Sequence, residues 1–376
     1  MPATANLNMK TLDNSSLEKI IKQLKTEGYV TIGPLLSNGV IIYDEISGVK
    51  DLPEGITDKQ EAGSYRTVKT DSRSLFGYTP GPQSWKKYLY PSKLKLWSAK
   101  RNGKGFDISH NGEEQRKYAL IGVRPCELNS IQILDKVFNN GSYTDYQYNS
   151  IREKIFICAV NCTRAGKTCF CTSMNTGPKA AKGYDLLLTE VCKGKEHYLT
   201  AEEGSAKGKK ILSAAEDNDT TAEQKKAADD AVAAAAENMG RKLNTENIKE
   251  ILYKNHDHPV WEETGAKCLA CTNCTLVCPT CFCSNVEDVT DLTGVNTERW
   301  RKWDSCFNLE YSRVAGGNFR TTVKARYRQW MTHKLASWQE QFGTFGCVGC
   351  GRCITWCPVG IDITKQAEKI RSTLRT

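Results

Sequence analysis

At 376 residues the chain exceeds a usual single core, and at about 100–200 residues per domain two or three units are expected. Hydrophobic residues make up 39%, and the longest apolar stretches, Ala231–Ala236 among them, fall far short of the roughly 20 residues of a bilayer-spanning helix, so no transmembrane segment is expected. The net charge of +9 comes from 52 basic against 43 acidic residues spread along the chain without a helix–turn–helix, zinc-finger or RNA-recognition pattern, which argues against nucleic acid and for a solvated surface or a docking face for acidic proteins.

In chain order, the first twenty residues lack a charged start, an apolar core, a small-residue cleavage site and twin arginines, and a cytoplasmic location is expected. Residues 1–192 hold short β-branched runs, Tyr29–Ile32, Val40–Tyr43, Tyr118–Val123 and Ile155–Val160, between Gly, Pro and Asn turns, the pattern of an α/β-type body. Residues 193–250 turn rich in Ala, Lys and Glu. Thr220 and Glu223 read as a capping box, Gly240 lies near the end, and Val232, Met239 and Leu243 give a modest apolar stripe, so this segment reads as a helical connector. Residues 251–376 carry the only internal repeat, C-L-A-C-T-N-C-T-L-V-C-P at 268–279 and C-V-G-C-G-R-C-I-T-W-C-P at 347–358. The long insert between them, Thr280–Gly346, suits helices. The fold class that follows is α+β, an N-terminal α/β-type body followed by an α-helical ferredoxin-like module with two [4Fe–4S] clusters.

Seventeen cysteines need an explanation in a chain expected in a reducing compartment. Disulfides fit poorly with an odd count and with C-x-x-C-x-x-C triplets. A cubane presents four iron vertices to soft thiolates; such a triplet curls three thiolates onto one cubane, and the fourth cysteine, followed by Pro, serves the neighbouring one. Cys268, Cys271, Cys274 and Cys357 are therefore assigned to one cluster, and Cys347, Cys350, Cys353 and Cys278 to a second. A zinc site made of four cysteines would leave thiols over. The small residues Ala270, Gly349 and Gly351 let backbone amides approach cluster sulfur.

Two further cysteine groups follow strand-like runs, Cys126 after Tyr118–Val123, and Cys162, Cys169 and Cys171 after Ile155–Val160. If these strands are parallel neighbours, both groups emerge at one carboxyl edge, where open α/β sheets gather ligands, and a third [4Fe–4S] cluster on Cys126, Cys162, Cys169 and Cys171 is expected. The alternative is that they pack as small hydrophobes, the reading given to Cys158; Cys192, Cys281, Cys283 and Cys306 are read as core or near-cluster residues. G-K-G-F-D-I at Gly103 lacks the third glycine of a dinucleotide fingerprint, no P-loop occurs, and His110, His197, His256, His258 and His333 form no H-E-x-x-H pair. No flavin or nicotinamide site and no catalytic residue is expected in this chain. Trp300, Arg301, Trp303, Arg326, Arg328 and Trp330 of the insert read either as partner-facing anchors or as a helix-covering surface.

The words G-V-R-P-C-E-L (122–128), N-C-T-R-A-G-K-T-C-F-C-T-S-M-N-T-G-P (161–178), G-Y-D-L-L-L-T-E (183–190), H-P-V-W-E-E (258–263), W-D-S-C (303–306) and the two cysteine runs together resemble the β subunit of cytoplasmic sulfhydrogenases and NAD(P)-linked [NiFe] hydrogenases, a family that includes the A subunit of anaerobic sulfite reductase. The resemblance runs from about residue 118 to the C-terminus. It implies a relay in which a flavin subunit with its own [2Fe–2S] cluster exchanges electrons with NAD(P)H, and this chain passes them to the small and large subunits of a [NiFe] hydrogenase or sulfur reductase. In the alternative branch it feeds a sirohaem sulfite reductase subunit. The T-G-P and Y-D-L-L-L-T-E words favour the hydrogenase branch, and the cysteines at 126, 162, 169 and 171 match positions of the family pattern.

Overall fold

The computed structural model describes residues 9–110, 116–139, 143–194, 196–215 and 218–373. Residues 1–8 of the N-terminal stretch read for a targeting signal lie outside the described residues. The strands in chain order are β1 (Lys10–Leu12), β2 (Tyr29–Ser37), β3 (Val40–Glu45), β4 (Ile56–Glu61), β5 (Ser64–Lys69), β6 (Lys93–Asn102), β7 (Gly105–His110), β8 (Lys117–Val123), β9 (Phe156–Val160), β10 (Leu186–Lys193), β11 (Glu196–Glu203), β12 (Asn218–Asp219), β13 (Ser284–Thr290), β14 (Asn296–Trp303), β15 (Arg313–Val314) and β16 (Gly317–Asn318).

An eight-stranded sheet runs β12-β1-β11-β10-β9-β8-β2-β3. Its centre is parallel: β8 lies beside β9, with Leu120 opposite Ile157, and β2 and β10 extend the parallel set on either side. Strands covered on both faces read as unbroken apolar runs, which is the pattern of A-L-I-G-V and F-I-C-A-V. The period of two divides them: Ala119, Ile121, Phe156 and Cys158 pack under Leu17, Ile20, Ile21 and Leu24 of helix Asn14–Thr26, while Leu120, Ile157 and Ala159 pack against Leu128, Ile131 and Leu134 of helix Pro125–Phe138. Each buried Leu, Ile or Phe among them contributes about 1.5–3 kcal/mol. Asp13 caps the first helix by accepting from Ser16 N at 2.8 Å.

Residues 193–250 are not one helical connector. They give β11 and β12 to the main sheet, and the line drawn at residue 192 falls inside the β10–β11 hairpin. Helix Ala222–Glu237 does form, but its capping box is Thr221 with Gln224 rather than Thr220 with Glu223. Thr220 is engaged one residue earlier, its backbone N–H donating to Met9 O at 2.9 Å and its hydroxyl oxygen accepting from Thr11 Oγ1 at 3.0 Å, which fixes the frame.

The insert also departs from expectation. Its first half is a hairpin, β13–β14, that completes a four-stranded antiparallel sheet β13-β14-β6-β7 with strands nearly two hundred residues upstream, so E-R-W-R-K-W lies on a strand. Its second half is helical. Helix Val323–Thr332 passes through a π-helical turn, His333–Ser337, into helix Trp338–Phe342. Helices Ile248–Lys254, Val260–Lys267 and Ile363–Ser372 pack with it around Trp261, Phe307, Tyr327, Met331 and Ile354. Among the described residues no helix is long and apolar enough to cross a membrane.

Candidate iron–sulfur centre

Each cysteine run curls by the same device. In the first, Ala270 and Thr272 adopt left-handed backbone (φ +52° and +68°); in the second, Gly349 and Gly351 occupy the matching positions (φ +64° and +75°). The turn brings the three cysteines to one side of the loop and points an amide at sulfur, Ala270 N to Cys268 Sγ at 3.4 Å and Gly349 N to Cys347 Sγ at 3.5 Å. Only the second run needs glycine for space. A Cβ on Gly349 would stand 2.6 Å from Phe170 O, and one on Gly351 2.3 Å from Thr168 O, because this loop is pressed onto the segment carrying Cys169 and Cys171.

The thiols gather in three neighbouring groups. Cys274 interacts electrostatically with Cys268, Cys357 and Cys271. Those four cysteines line one pocket walled by Phe307, Tyr327 and Trp330. Cys353 interacts with Cys347, Cys350 and Cys278, and it also lines the first pocket, so the two groups share a wall. In the body, Cys126 opens helix Pro125–Phe138 and interacts with Cys171 and Cys350; Cys171 in turn interacts with Cys169, Cys162 and Cys350. This third group thus abuts the second at Cys350, where Cys169 Sγ donates to Cys350 O at 3.7 Å.

Burial pushes nearly all of these thiols up: Cys169 and Cys347 to about 12, and Cys126, Cys274 and Cys353 well above the usual range, with neighbouring thiols adding to the effect. Thiolates in such a setting require a cation to replace their protons, which iron provides. The surroundings fit a sulfur-rich group as well: Tyr327 Oη and Trp330 Nε1, both on residues lining the first pocket, are buried without a hydrogen-bond partner among the described residues, donors that sulfur acceptors there would satisfy.

Nothing in the sequence reading singles out Lys334 or Lys86, whereas Cys281, Cys283 and Cys306, read there as core or near-cluster residues, lie beside Cys278 and Cys274. Cys281 hydrogen-bonds with Cys278, and Cys283 with Cys306, while Cys306 interacts with Cys274; these thiols fill the seam between the first and second groups. Lys334, carried on the π-helical turn, is buried with its ammonium 3.1 Å from Cys278 Sγ and 3.3 Å from Thr280 Oγ1 and Gly346 O. Such single-turn π segments often mark functional positions. The hydrogen bond from Cys281, opposed by burial and reinforced by Lys334, holds the Cys278 thiol well below its ordinary range. Lys86, also buried, donates to Cys281 O at 2.9 Å and lies 4.0 Å from the Trp303 ring centre.

A second feature ties the body to the cysteine loops. Glu127, one residue past Cys126, and Arg352, between Cys350 and Cys353, form a fully buried ion pair at 2.5 Å. The other carboxylate oxygen of Glu127 accepts from Tyr43 Oη at 2.8 Å and Trp85 Nε1 at 3.1 Å. The Arg and Trp residues of the insert are mostly internal. Arg301 pairs with Asp145 and stacks on Tyr90, Trp303 Nε1 donates to Tyr90 O at 2.9 Å, and Arg326 donates to Phe307 O at 2.7 Å, so these serve sheet and core rather than a partner.

Residues 267–361 match the model of a 4Fe-4S dicluster domain. The chain is 34% identical over 366 residues, 96% of its own length and 98% of the relative's, to "Sulfhydrogenase 2 subunit beta" of Pyrococcus furiosus. No solved structure matches it significantly.

Proposed function

Because the chain belongs to the family of sulfhydrogenase β subunits, and is thus an iron–sulfur electron-transfer subunit, we propose that it conducts single electrons through three [4Fe–4S] clusters in series. Cys126, Cys162, Cys169 and Cys171 hold one; Cys347, Cys350, Cys353 and Cys278 the middle one; and Cys268, Cys271, Cys274 and Cys357 the last. Contiguity of the thiol groups carries the reading: Cys350 touches the environment of the body group, and Cys353 that of the outer group. Clusters supply one-electron chemistry, and the protein's part is to hold them close and set their potentials.

The outer group reaches the surface. Cys271 is exposed, and Leu269, 63% exposed, and Val359 line the same pocket, an apolar mouth through which a redox partner takes or gives electrons. Partners in this reading are a flavin and [2Fe–2S] subunit reacting with NAD(P)H on one side and the [NiFe] hydrogenase subunits on the other, in a cytoplasmic complex. Anaerobically prepared protein should contain about twelve irons and as many acid-labile sulfides per chain, and Cys171→Ser about eight, from four irons per cubane. A variant that keeps its full iron content would remove the body cluster; a wild type that is colourless and iron-free, or that carries zinc in place of iron, would remove the relay itself. Copurifying material containing nickel supports the hydrogenase branch, and sirohaem absorbance would transfer the chain to the sulfite reductase branch.

A further inference from the structure

The β10–β11 hairpin pairs Cys192 directly with His197, and Glu190 lies two residues before Cys192. Side chains alternate along a strand, so Glu190 and Cys192 share a face, and the cross-strand neighbour His197 joins them there. The Cys192 Sγ, one imidazole nitrogen and one carboxylate oxygen all lie within 4.8 Å of one another. A proton relay through opposite ring nitrogens would hold sulfur and carboxylate apart by the width of the ring and two hydrogen bonds. Here the three atoms lie within 4.8 Å of one another, closer than that relay allows.

We propose that Glu190, Cys192 and His197 bind one zinc-class divalent cation, at a site separate from the iron–sulfur centre. The donor set suits a borderline cation, and thiolate, carboxylate and neutral imidazole together neutralise a double positive charge. The carboxylate is already held in place. Its Oε2 accepts from Ser74 Oγ at 2.5 Å and Phe76 N at 2.9 Å, and its Oε1 from Leu75 N at 2.6 Å, while the remaining contact of Oε1, with His197 Nε2 at 2.9 Å, is the one a cation replaces. Ligating carboxylates are oriented by such surrounding hydrogen bonds.

The site is closed on one side and open on the other. The side chains of Glu190 and His197 are 2% and 8% exposed, whereas Cys192 is exposed at the rim of a cavity of about 510 Å³ lined also by Asp71, Ser72, Arg73 and Glu196. Three protein ligands with an open fourth direction are the arrangement in which zinc keeps an exchangeable water.

The test uses the anaerobic holoprotein with its clusters intact, dialysed against Zn²⁺. About one zinc per chain is expected beyond the iron, with a Zn K-edge spectrum showing a single sulfur and otherwise nitrogen and oxygen neighbours. Cys192→Ser and His197→Gln should each weaken zinc binding about tenfold or more while iron and sulfide content stay at the wild-type level. Absence of retained zinc, an all-sulfur shell, or variants that hold zinc as the wild type does would each overturn the proposal. Should the variants fail to fold, the edge spectrum of the wild type decides alone.

Discussion

Glu127→Gln should cost about 3–5 kcal/mol of stability, the penalty for leaving a buried charge without its partner. Arg352 is 3% exposed in its side chain, and with Glu127 neutralised its guanidinium keeps only the Gly81 carbonyl at 3.0 Å and the Cys350 sulfur as partners. The same carboxylate also orients Tyr43 and Trp85 of the body, so the damage spreads to both sides of the junction. Anaerobic urea unfolding, followed by tryptophan fluorescence and by cluster absorbance, should show a lower midpoint by both probes. Because Arg352 sits between Cys350 and Cys353, iron loss should accompany it. Glu127→Leu combined with Arg352→Met should recover part of the loss, since an apolar pair of similar volume is often tolerated where half an ion pair is not. A midpoint unchanged in Glu127→Gln would show that the junction is held by other contacts.

The second large effect is electrical. Burial opposes the charge of Lys334, yet Cys278, Cys281 and Cys347 hold its pKa well above the ordinary range, so the ammonium stays charged beside the middle thiol group. A fixed positive charge favours the added electron. Lys334→Met should therefore move the midpoint potential of the adjacent cluster in the negative direction by on the order of 100 mV, equivalent to about 2 kcal/mol for unit charges several ångströms apart in a medium of effective dielectric near 20. Redox titration followed by paramagnetic resonance reads this directly. The iron content should be unchanged, which separates a change of potential from loss of the cluster. A shift in the positive direction, or none, would remove Lys334 from the tuning role.

What could be read from the chain alone was what is local. The strands Tyr118–Val123 and Ile155–Val160 show as short apolar runs, though not their parallel pairing, and the C-x-x-C-x-x-C spacing shows the dicluster domain, because each is written within a dozen residues. The sheet made by β13 and β14 was not visible. Residues 297–303 of β14 are all half-buried, so T-E-R-W-R-K-W shows no clean in-and-out alternation, and its partners β6 and β7 lie far upstream. The frame of the capping box turned on which of two adjacent threonines was already held by strand β1, a tertiary fact. Nothing in the sequence singles out Glu127, Arg352 or Lys334, since nothing local distinguishes a buried charge from a solvated one. Cys281, Cys283 and Cys306 had a local signal, the C-F-C and W-D-S-C words, but their neighbours come from the facing loops.

The four-stranded sheet also limits how this polypeptide can be divided. A fragment beginning at residue 251 would keep both cysteine runs yet forfeit β6 and β7, baring one whole side of β14 as an unpaired edge, the kind of surface along which chains stick to one another. The iron-carrying half is thus not a portable cassette: it borrows backbone from the other end of the chain, and grafting it elsewhere means bringing residues 93–110 along.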